Sequence, residues 1–164
     1  MVAVLKSAFF GAVLAGLALA AAASGTAAAA PDSRQTVQAG DVRFEALPPQ
    51  ELRRGECGLF LWARTNSPML LMTVIGAEDS VARVRADGSQ RTLPRTEFDG
   101  SPVHGQFERQ VFSDGRLTLE VDVHFDANRQ IRDGAIVQSG VVRVVNRAGW
   151  KTILPVGGMV ACQT

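Results

Sequence analysis

Apolar and polar side chains alternate most regularly over residues 117–125. The alternating positions are the apolar Leu117, Leu119, Val121, Val123 and Phe125 and the polar Thr118, Glu120, Asp122 and His124. A period of two places the apolar set on one face of an extended strand and the polar set on the other. We therefore predict an antiparallel strand with one buried and one solvated face, because a helix would scatter these residues around its axis.

Shorter segments of strand-like composition follow one another from residue 41 onward, with turn-forming residues between them. These segments are residues 41–47, 56–64, 69–75, 80–86, 89–93, 105–112, 116–125, 135–145, 150–154 and 157–162. The Asp87-Gly88 pair and the SDG triplet at residues 113–115 are typical of tight hairpins. The pattern predicts an all-β fold, a small antiparallel sandwich or barrel of about seven to nine strands.

Three segments depart from this simple pattern. Residues 48–55, PPQELRRG, are the one candidate for a helical turn after the N-terminal region. Residues 97–105, EFDGSPVHG, predict the longest loop, because they combine two glycines with a proline. Residues 69–72, MLLM, are apolar on both faces, which indicates a strand that is central or is covered by a partner.

The N-terminal segment has the layout of a secretory signal peptide. Lys6 precedes an uncharged apolar run over residues 7–23, and small residues follow it. We predict a signal peptide over residues 1–30, cleaved between about 23 and 30; a retained anchor is the alternative, since the run approaches the ~20 residues that span a bilayer. Residues 31–40 then predict a flexible leader, and residues 41–164 a single exported domain, periplasmic or secreted, with no further membrane span.

The charge balance argues against a nucleic-acid partner. The chain has 17 basic and 16 acidic residues, and Lys6 belongs to the predicted signal peptide. The arginines are spread along the sequence rather than gathered into a basic patch. We expect no nucleic acid among the partners.

The two cysteines, Cys57 and Cys162, predict a disulfide, because thiols pair by default in an oxidising compartment. Free or intermolecular thiols and a metal or catalytic role are the alternatives. A zinc site needs about four ligands, and the only histidines, His104 and His124, are not at ligand spacing from a cysteine. We predict no metal and no cofactor. Three residues that follow Cys57 in the same segment, Leu59, Phe60 and Trp62, are predicted to be core packed around the disulfide.

A few polar and aromatic residues are candidates for an interaction surface. Glu120, Asp122 and His124 share one strand face, where they form a metal or carboxylate–imidazole site or, in the interpretation we prefer, a solvated face. Arg95 and His104 lie in or near the loop at residues 97–105, and Trp150 follows a turn as a possible anchor. The chain has no catalytic motif of the hydrolase, metalloprotease or nucleotide-binding type. We therefore predict that the protein is not an enzyme.

These observations favour a binding or assembly module that engages another exported or envelope protein through strand edges and the loop near His104. Binding at a strand edge uses main-chain hydrogen bonds, so it leaves little trace in a sequence. The first alternative is an inhibitor of a cell-wall hydrolase of the lysozyme type or of a protease, which would use the loop at residues 97–105 and Arg95. The second is a small-ligand carrier, which requires room inside a barrel.

Overall fold

A computed structural model describes residues 35–77 and 79–164, with the backbone alone at residues 127–130. Its ten strands are β1 (Thr36–Ala39), β2 (Val42–Glu45), β3 (Cys57–Ala63), β4 (Met69–Ile75), β5 (Val81–Ala86), β6 (Ser89–Asp99), β7 (Arg109–Ser113), β8 (Thr118–Ile131), β9 (Gly134–Val145) and β10 (Lys151–Cys162). The predicted signal peptide lies outside the described residues. Within them, no helix has the length and hydropathy needed to cross a membrane.

The strands form a closed antiparallel barrel. The ladder runs β5-β4-β3-β10-β9-β8-β7-β6, and six residue pairs between β6 and β5, from Ser89↔Ala86 to Pro94↔Val81, close it. The predicted all-β fold is confirmed, and the closure decides between barrel and sandwich. The two remaining strands, β1 and β2, form a hairpin that joins β5 through Phe44↔Ala86 and Glu45↔Arg85.

Alternate side chains of each strand point into the barrel. On β5, for example, Ala82, Val84 and Ala86 are buried, whereas the arginines between them are partly exposed. The barrel interior is lined by Val, Leu, Ala, Met and Phe side chains from the strands around the ladder. Burial of apolar surface at about 25 cal/mol per Å² is the main stabilising contribution to such a core.

The β1–β2 hairpin covers one end of this core, and β1 lies within residues 31–40, which were predicted to be a flexible leader. Ala39, Val42 and Phe44 are buried, and at the hairpin tip Asp41 accepts a hydrogen bond of 2.9 Å from the Asn146 amide. Over residues 36–39 the leader prediction is therefore wrong. A four-residue strand that buries only one side chain fully, Ala39, shows no periodicity in the sequence, and the ladder with β2 is what orders it.

Several predicted boundaries also shift. Strand β6 was predicted to end at residue 93 but runs to Asp99, into the loop predicted at residues 97–105. Strand β8 continues to Ile131, beyond the segment predicted at residues 116–125. Strand β10 is one strand where two were predicted, and it passes through Pro155. Proline is tolerated there because the backbone of Pro155 faces the side of β3, where its carbonyl accepts a hydrogen bond from Arg64 and no donor is needed.

The connection from β2 to β3 explains why β4 is apolar on both faces. Leu47 is 4% exposed and its N–H donates to the Leu70 carbonyl, while Leu52 packs over Gly58 of β3. Thr73 on β4 is fully buried beneath this cover. Residues of the β2–β3 connection therefore cover the outer face of β4, and a partner protein is not needed to explain why this face is apolar. Residues 48–55 form no helix, contrary to the helical turn that Pro48 and Gly55 suggested.

The aromatic residues of β3 do not enter the barrel core. Leu59 is fully buried, but Phe60 and Trp62 alternate with it and lie half-exposed on the outer face. Their rings stack on each other with centroids 6.4 Å apart. The prediction that Leu59, Phe60 and Trp62 all pack as core around the disulfide is correct for Leu59 only, because period-two alternation places the two rings on the opposite face.

Candidate functional site

The two ends of the barrel differ in character, and strand β10 connects them. Cys162 at the end of β10 pairs in register with Cys57 at the start of β3, with Cα atoms 4.0 Å apart. The predicted disulfide is confirmed, and we call this the disulfide end. At the other end β10 begins beside Trp150, and we call this the Trp150 end. At ~3.3 Å per residue, the 12 residues of β10 separate the ends by roughly 36 Å.

At the disulfide end, His104 and Gly105 form a tight turn. The backbones of Val103 and Gln106 exchange hydrogen bonds of 2.7 and 3.0 Å, and both turn residues have positive φ, 50° at His104 and 76° at Gly105. This is the pattern of a type I′ turn, which a histidine adopts less readily than glycine. The turn presents the imidazole of His104 on an exposed position.

The turn places His104 beside the disulfide. A ring nitrogen of His104 and the Sγ atoms of Cys57 and Cys162 all lie within 4.8 Å of one another. His104 is not at ligand spacing from either cysteine along the chain, but the fold brings its imidazole to the disulfide. Linear spacing could not reveal the proximity, because His104 reaches the disulfide from a loop that follows β6, on another part of the barrel wall.

Gln106 holds this loop against the barrel. Its side chain is fully buried, and its amide donates to the Gly76 carbonyl at 2.9 Å. Gly105 lies against Ala77, where an added Cβ would come within 3.1 Å of the alanine Cβ. The Oε1 atom of Gln106 is buried without a hydrogen-bond partner among the described residues. The buried side chain of Gln106 therefore anchors the His104 turn to the barrel.

Arg95 fastens the same loop from the side. Its guanidinium donates to the Ala77 carbonyl at 2.5 Å and to Gln110 at 3.1 Å, and it lies over the rings of Phe98 and Phe107, 4.7 and 5.1 Å from their centroids. Burial lowers the pKa of Arg95 from its ordinary value. Arg95 thus packs inward as part of the loop's support and does not project from it.

The row of Glu120, Asp122 and His124 lies on the outer face of β8, as predicted, and each member has its own charged neighbour. Glu120 pairs with Lys151 at 2.6 Å, Asp122 with Arg143 at 3.6 Å, and Nδ1 of His124 with Glu108 at 3.3 Å. Among the described residues, the three do not gather into a common set of metal ligands. The face carries two ion pairs and the His124–Glu108 contact, beside a groove of about 270 Å³ that Phe98 and Arg109 help to line.

Trp150 is held in an exposed position by the turn before it. The side-chain oxygen of Asn146 accepts hydrogen bonds from the N–H groups of Ala148 and Trp150, both at 3.0 Å. The Trp150 side chain is 76% exposed, and Ile153, three residues further on, is 57% exposed. Trp150 also lines a pocket of about 320 Å³ with the tip of the β1–β2 hairpin. Sequence reasoning identified Trp150 and missed Ile153.

The first part of β10 is an edge with unpaired backbone groups. Strand β9 pairs with β10 from Lys151 onward, but β3 pairs with it only from Val156. The Pro155 carbonyl faces the side of β3, so by alternation the N–H and C=O groups of Lys151 and Ile153 face that side too. No described strand pairs with them there.

The six candidate residues thus do not form one surface. Arg95 and His104 lie at the disulfide end, where Arg95 donates to the Ala77 carbonyl and Gly105, which follows His104, lies against Ala77. Glu120 lies near the Trp150 end, because its partner Lys151 follows Trp150 directly, and Asp122 and His124 lie along β8 between the ends. No protein family, curated protein or solved structure shows significant similarity to this chain.

Proposed function

We propose that the protein is an exported, non-catalytic binding or assembly module, and that an extended segment of another exported or envelope protein adds to the edge at the start of β10. The observation that carries this proposal is the unpaired edge of residues 151–153 beside the exposed side chains of Trp150 and Ile153. An added strand would take main-chain hydrogen bonds from the edge and pack its own apolar residues on these side chains.

The surroundings of the edge support an extended protein segment as the occupant. An exposed strand edge is a template for pairing, and proteins usually block it. Pro155 removes one donor from this edge, but Lys151 and Ile153 keep theirs. Aromatic anchors such as Trp150 are typical of the residues that dominate binding energy in protein interfaces. The edge and the anchor lie next to each other in the chain, so one short segment would contact both.

Export itself is supported by the layout of residues 1–30 and by a disulfide of the kind that persists in oxidising compartments. Periplasmic or secreted localisation can be tested by fractionating cells and sequencing the N-terminus of the mature chain. Cleavage between residues 23 and 30 is expected. A cytosolic chain that begins at Met1 would contradict export. It would not bear on strand addition at the β10 edge, which the crosslinking experiment below tests separately.

Site-specific crosslinking tests the binding surface. A photo-crosslinking amino acid replaces Ile153 in one variant and Phe98 in a matched control, since the two side chains are 57% and 58% exposed. In cells that express the chain, we expect the probe at position 153 to capture an extended segment of one exported protein, and the probe at position 98 not to capture it. Capture of that protein equally at both positions, or at neither, would contradict the proposal.

The rigid His104 turn favours a second candidate, an inhibitor of a cell-wall hydrolase or protease. An inhibitory loop binds tightly when it is held in its bound shape beforehand, and Gln106 and Arg95 support such a shape here. An inhibition assay with lysozyme and with proteases of several classes separates the candidates. Inhibition that is lost in His104→Ala and kept in a variant with a blocked β10 edge would favour the inhibitor.

A further inference from the structure

We propose that Cys57, Cys162 and His104 form a binding site for a thiophilic d¹⁰ cation, Cu(I) or Zn(II), once the disulfide is reduced. The ligand atoms of all three residues lie within 4.8 Å of one another. Two thiolates and one imidazole are the donor set that these cations prefer, because soft sulfur ligands select Cu(I) and Zn(II) over harder cations. The proposal does not depend on the function proposed above.

The distances require only a small adjustment. Metal–sulfur bonds of about 2.3 Å and metal–nitrogen bonds of about 2.0 Å place tetrahedral ligand atoms about 3.5–3.8 Å apart. The two sulfurs separate when their bond is cleaved, and the imidazole approaches by about 1 Å to complete the site. His104 is exposed and the cysteines are half-exposed, so side-chain rotation can supply this movement.

The backbone holds the three residues in place without the disulfide. Seven residue pairs join β3 and β10, from Ala63↔Val156 to Cys57↔Cys162. The N–H of Cys162 donates to the Asp133 carbonyl at 2.9 Å, which ties it to the β8–β9 turn as well. The His104 turn is closed by its own backbone bonds and anchored by Gln106. A site with ligands already in position loses less conformational entropy when it binds a metal.

The chemistry balances with a dithiol as the reductant. The dithiol supplies two electrons and two protons, its own sulfurs become a disulfide, and Cys57 and Cys162 become thiols. The cation then displaces the two thiol protons and accepts a lone pair from neutral His104. Cu(I) is satisfied by these three ligands, whereas Zn(II) leaves a fourth position for water. Because the oxidised sulfurs carry no thiolate, binding is gated by the redox state.

Metal titration of the mature chain tests the proposal. Protein is prepared oxidised, or reduced and freed of reductant without oxygen, and is titrated with Zn(II) or Cu(I) against a chromophoric chelator. We expect one equivalent of Cu(I) or Zn(II) to bind the reduced form and none to bind the oxidised form. The cation that the reduced protein withdraws from the stronger chelator is the one the site prefers.

The two histidines provide a matched pair of variants. His104→Ala should weaken binding to the reduced protein by at least about tenfold, the loss that follows even from removing an outer group of a metal site. His124→Ala removes the other histidine, which is also exposed, and should leave binding unchanged. Equal affinity in His104→Ala, binding to the oxidised protein, or no binding at all would overturn the proposal.

Circular dichroism shows whether the reduced protein is folded, and so whether a failure to bind the cation results from unfolding. The reduced protein is expected to keep its β spectrum before metal is added, and the cation should raise its melting temperature. Reduced protein that is unfolded and stays unfolded with either cation would also overturn the proposal, because the site requires the β3–β10 ladder to persist without the disulfide.

Discussion

The disulfide end and the Trp150 end of the barrel differ in how strand β10 is held: it is paired on both sides at one end and on one side only at the other. At Cys162, β10 has partners on both sides, a covalent bond to β3 and a loop pinned over it. At Lys151 it has β9 on one side only, and apolar side chains stand in solvent beside the other. The barrel is closed, but β10 extends beyond the end of β3, and this unpaired extension is where we propose that a partner strand adds.

The largest expected effect is at the disulfide end. Cys57→Ala or Cys162→Ala should lower the free energy of unfolding by up to about 4.7 kcal/mol, since the bond closes a loop of roughly 100 residues in the unfolded chain. Urea denaturation measures this loss. The double variant should be no less stable than either single variant. Single variants that retain the stability of the disulfide-bonded protein would show that this end is held by other contacts.

A smaller effect is expected from the hairpin that covers the Trp150 end. Val42→Ala removes two methyl groups from a side chain that is 8% exposed, and should cost about 2 kcal/mol by lost burial and cavity formation. Val37→Ala, on the half-exposed β1, is the control and should cost clearly less. Equal and negligible losses in the two variants would mean that the hairpin does not contribute to the core.

Asp114, in the turn before β8 at the Trp150 end, should show a pH-dependent contribution. Burial alone would raise the pKa of Asp114, but hydrogen bonds from the N–H groups of Leu117 and Arg116 and from Arg91 lower it overall. A pKa that is lower in the folded state stabilises the fold above the unfolded pKa of about 3.9, and the stabilisation disappears as the pH falls through the folded value.

Asp114→Ala should therefore cost about 1–2 kcal/mol at neutral pH, with a difference from the parent protein that shrinks as the pH falls below about 4. Urea denaturation at a series of pH values measures this. A cost that stays constant down to pH 2 would show that the carboxylate charge makes no contribution.

The smallest effect is expected at Trp150 itself. Trp150→Ala should change the free energy of unfolding by no more than about 0.5 kcal/mol, because the side chain is mostly in solvent and the bonds to Asn146 are made by the backbone N–H and C=O of Trp150, which alanine keeps. Thermal melts compare the two proteins. A large loss of stability would show that Trp150 is a structural residue, and would remove it from the proposed binding surface.

Local alternation predicted most of the fold, because each strand carries its own signal. The face of β8 with Glu120, Asp122 and His124, the hairpin at Asp87-Gly88 and the disulfide were all predicted correctly. The sequence did not distinguish a closed barrel from a sandwich. Closure depends on β6 pairing with both β5 and β7, and no single segment of the sequence indicates both pairings. Strand β1 was missed because its short ladder, rather than its own side chains, orders it.

The candidate sites were less predictable than the strands, because they depend on contacts between distant segments. The residue type and the preceding turn identified Trp150, but the exposure of Ile153 beside an open edge follows from β3 ending at Ala63, which leaves the start of β10 unpaired on that side. The approach of His104 to Cys57 and Cys162 depends on how a loop folds over the barrel end. The HG pair in the sequence is the one local sign, since it marks the tight turn that presents the imidazole.

Amide hydrogen exchange of β10 tests the contrast between the two ends most directly. The N–H of Leu154 faces β9 and is paired, whereas the N–H of Ile153 faces the open side. In the protein without a partner, Ile153 should exchange at least about 100 times faster than Leu154, and the N–H of Cys162 should be protected by its bond to Asp133. Exchange at Ile153 as slow as at Leu154 would contradict an open edge, and with it the proposed binding surface.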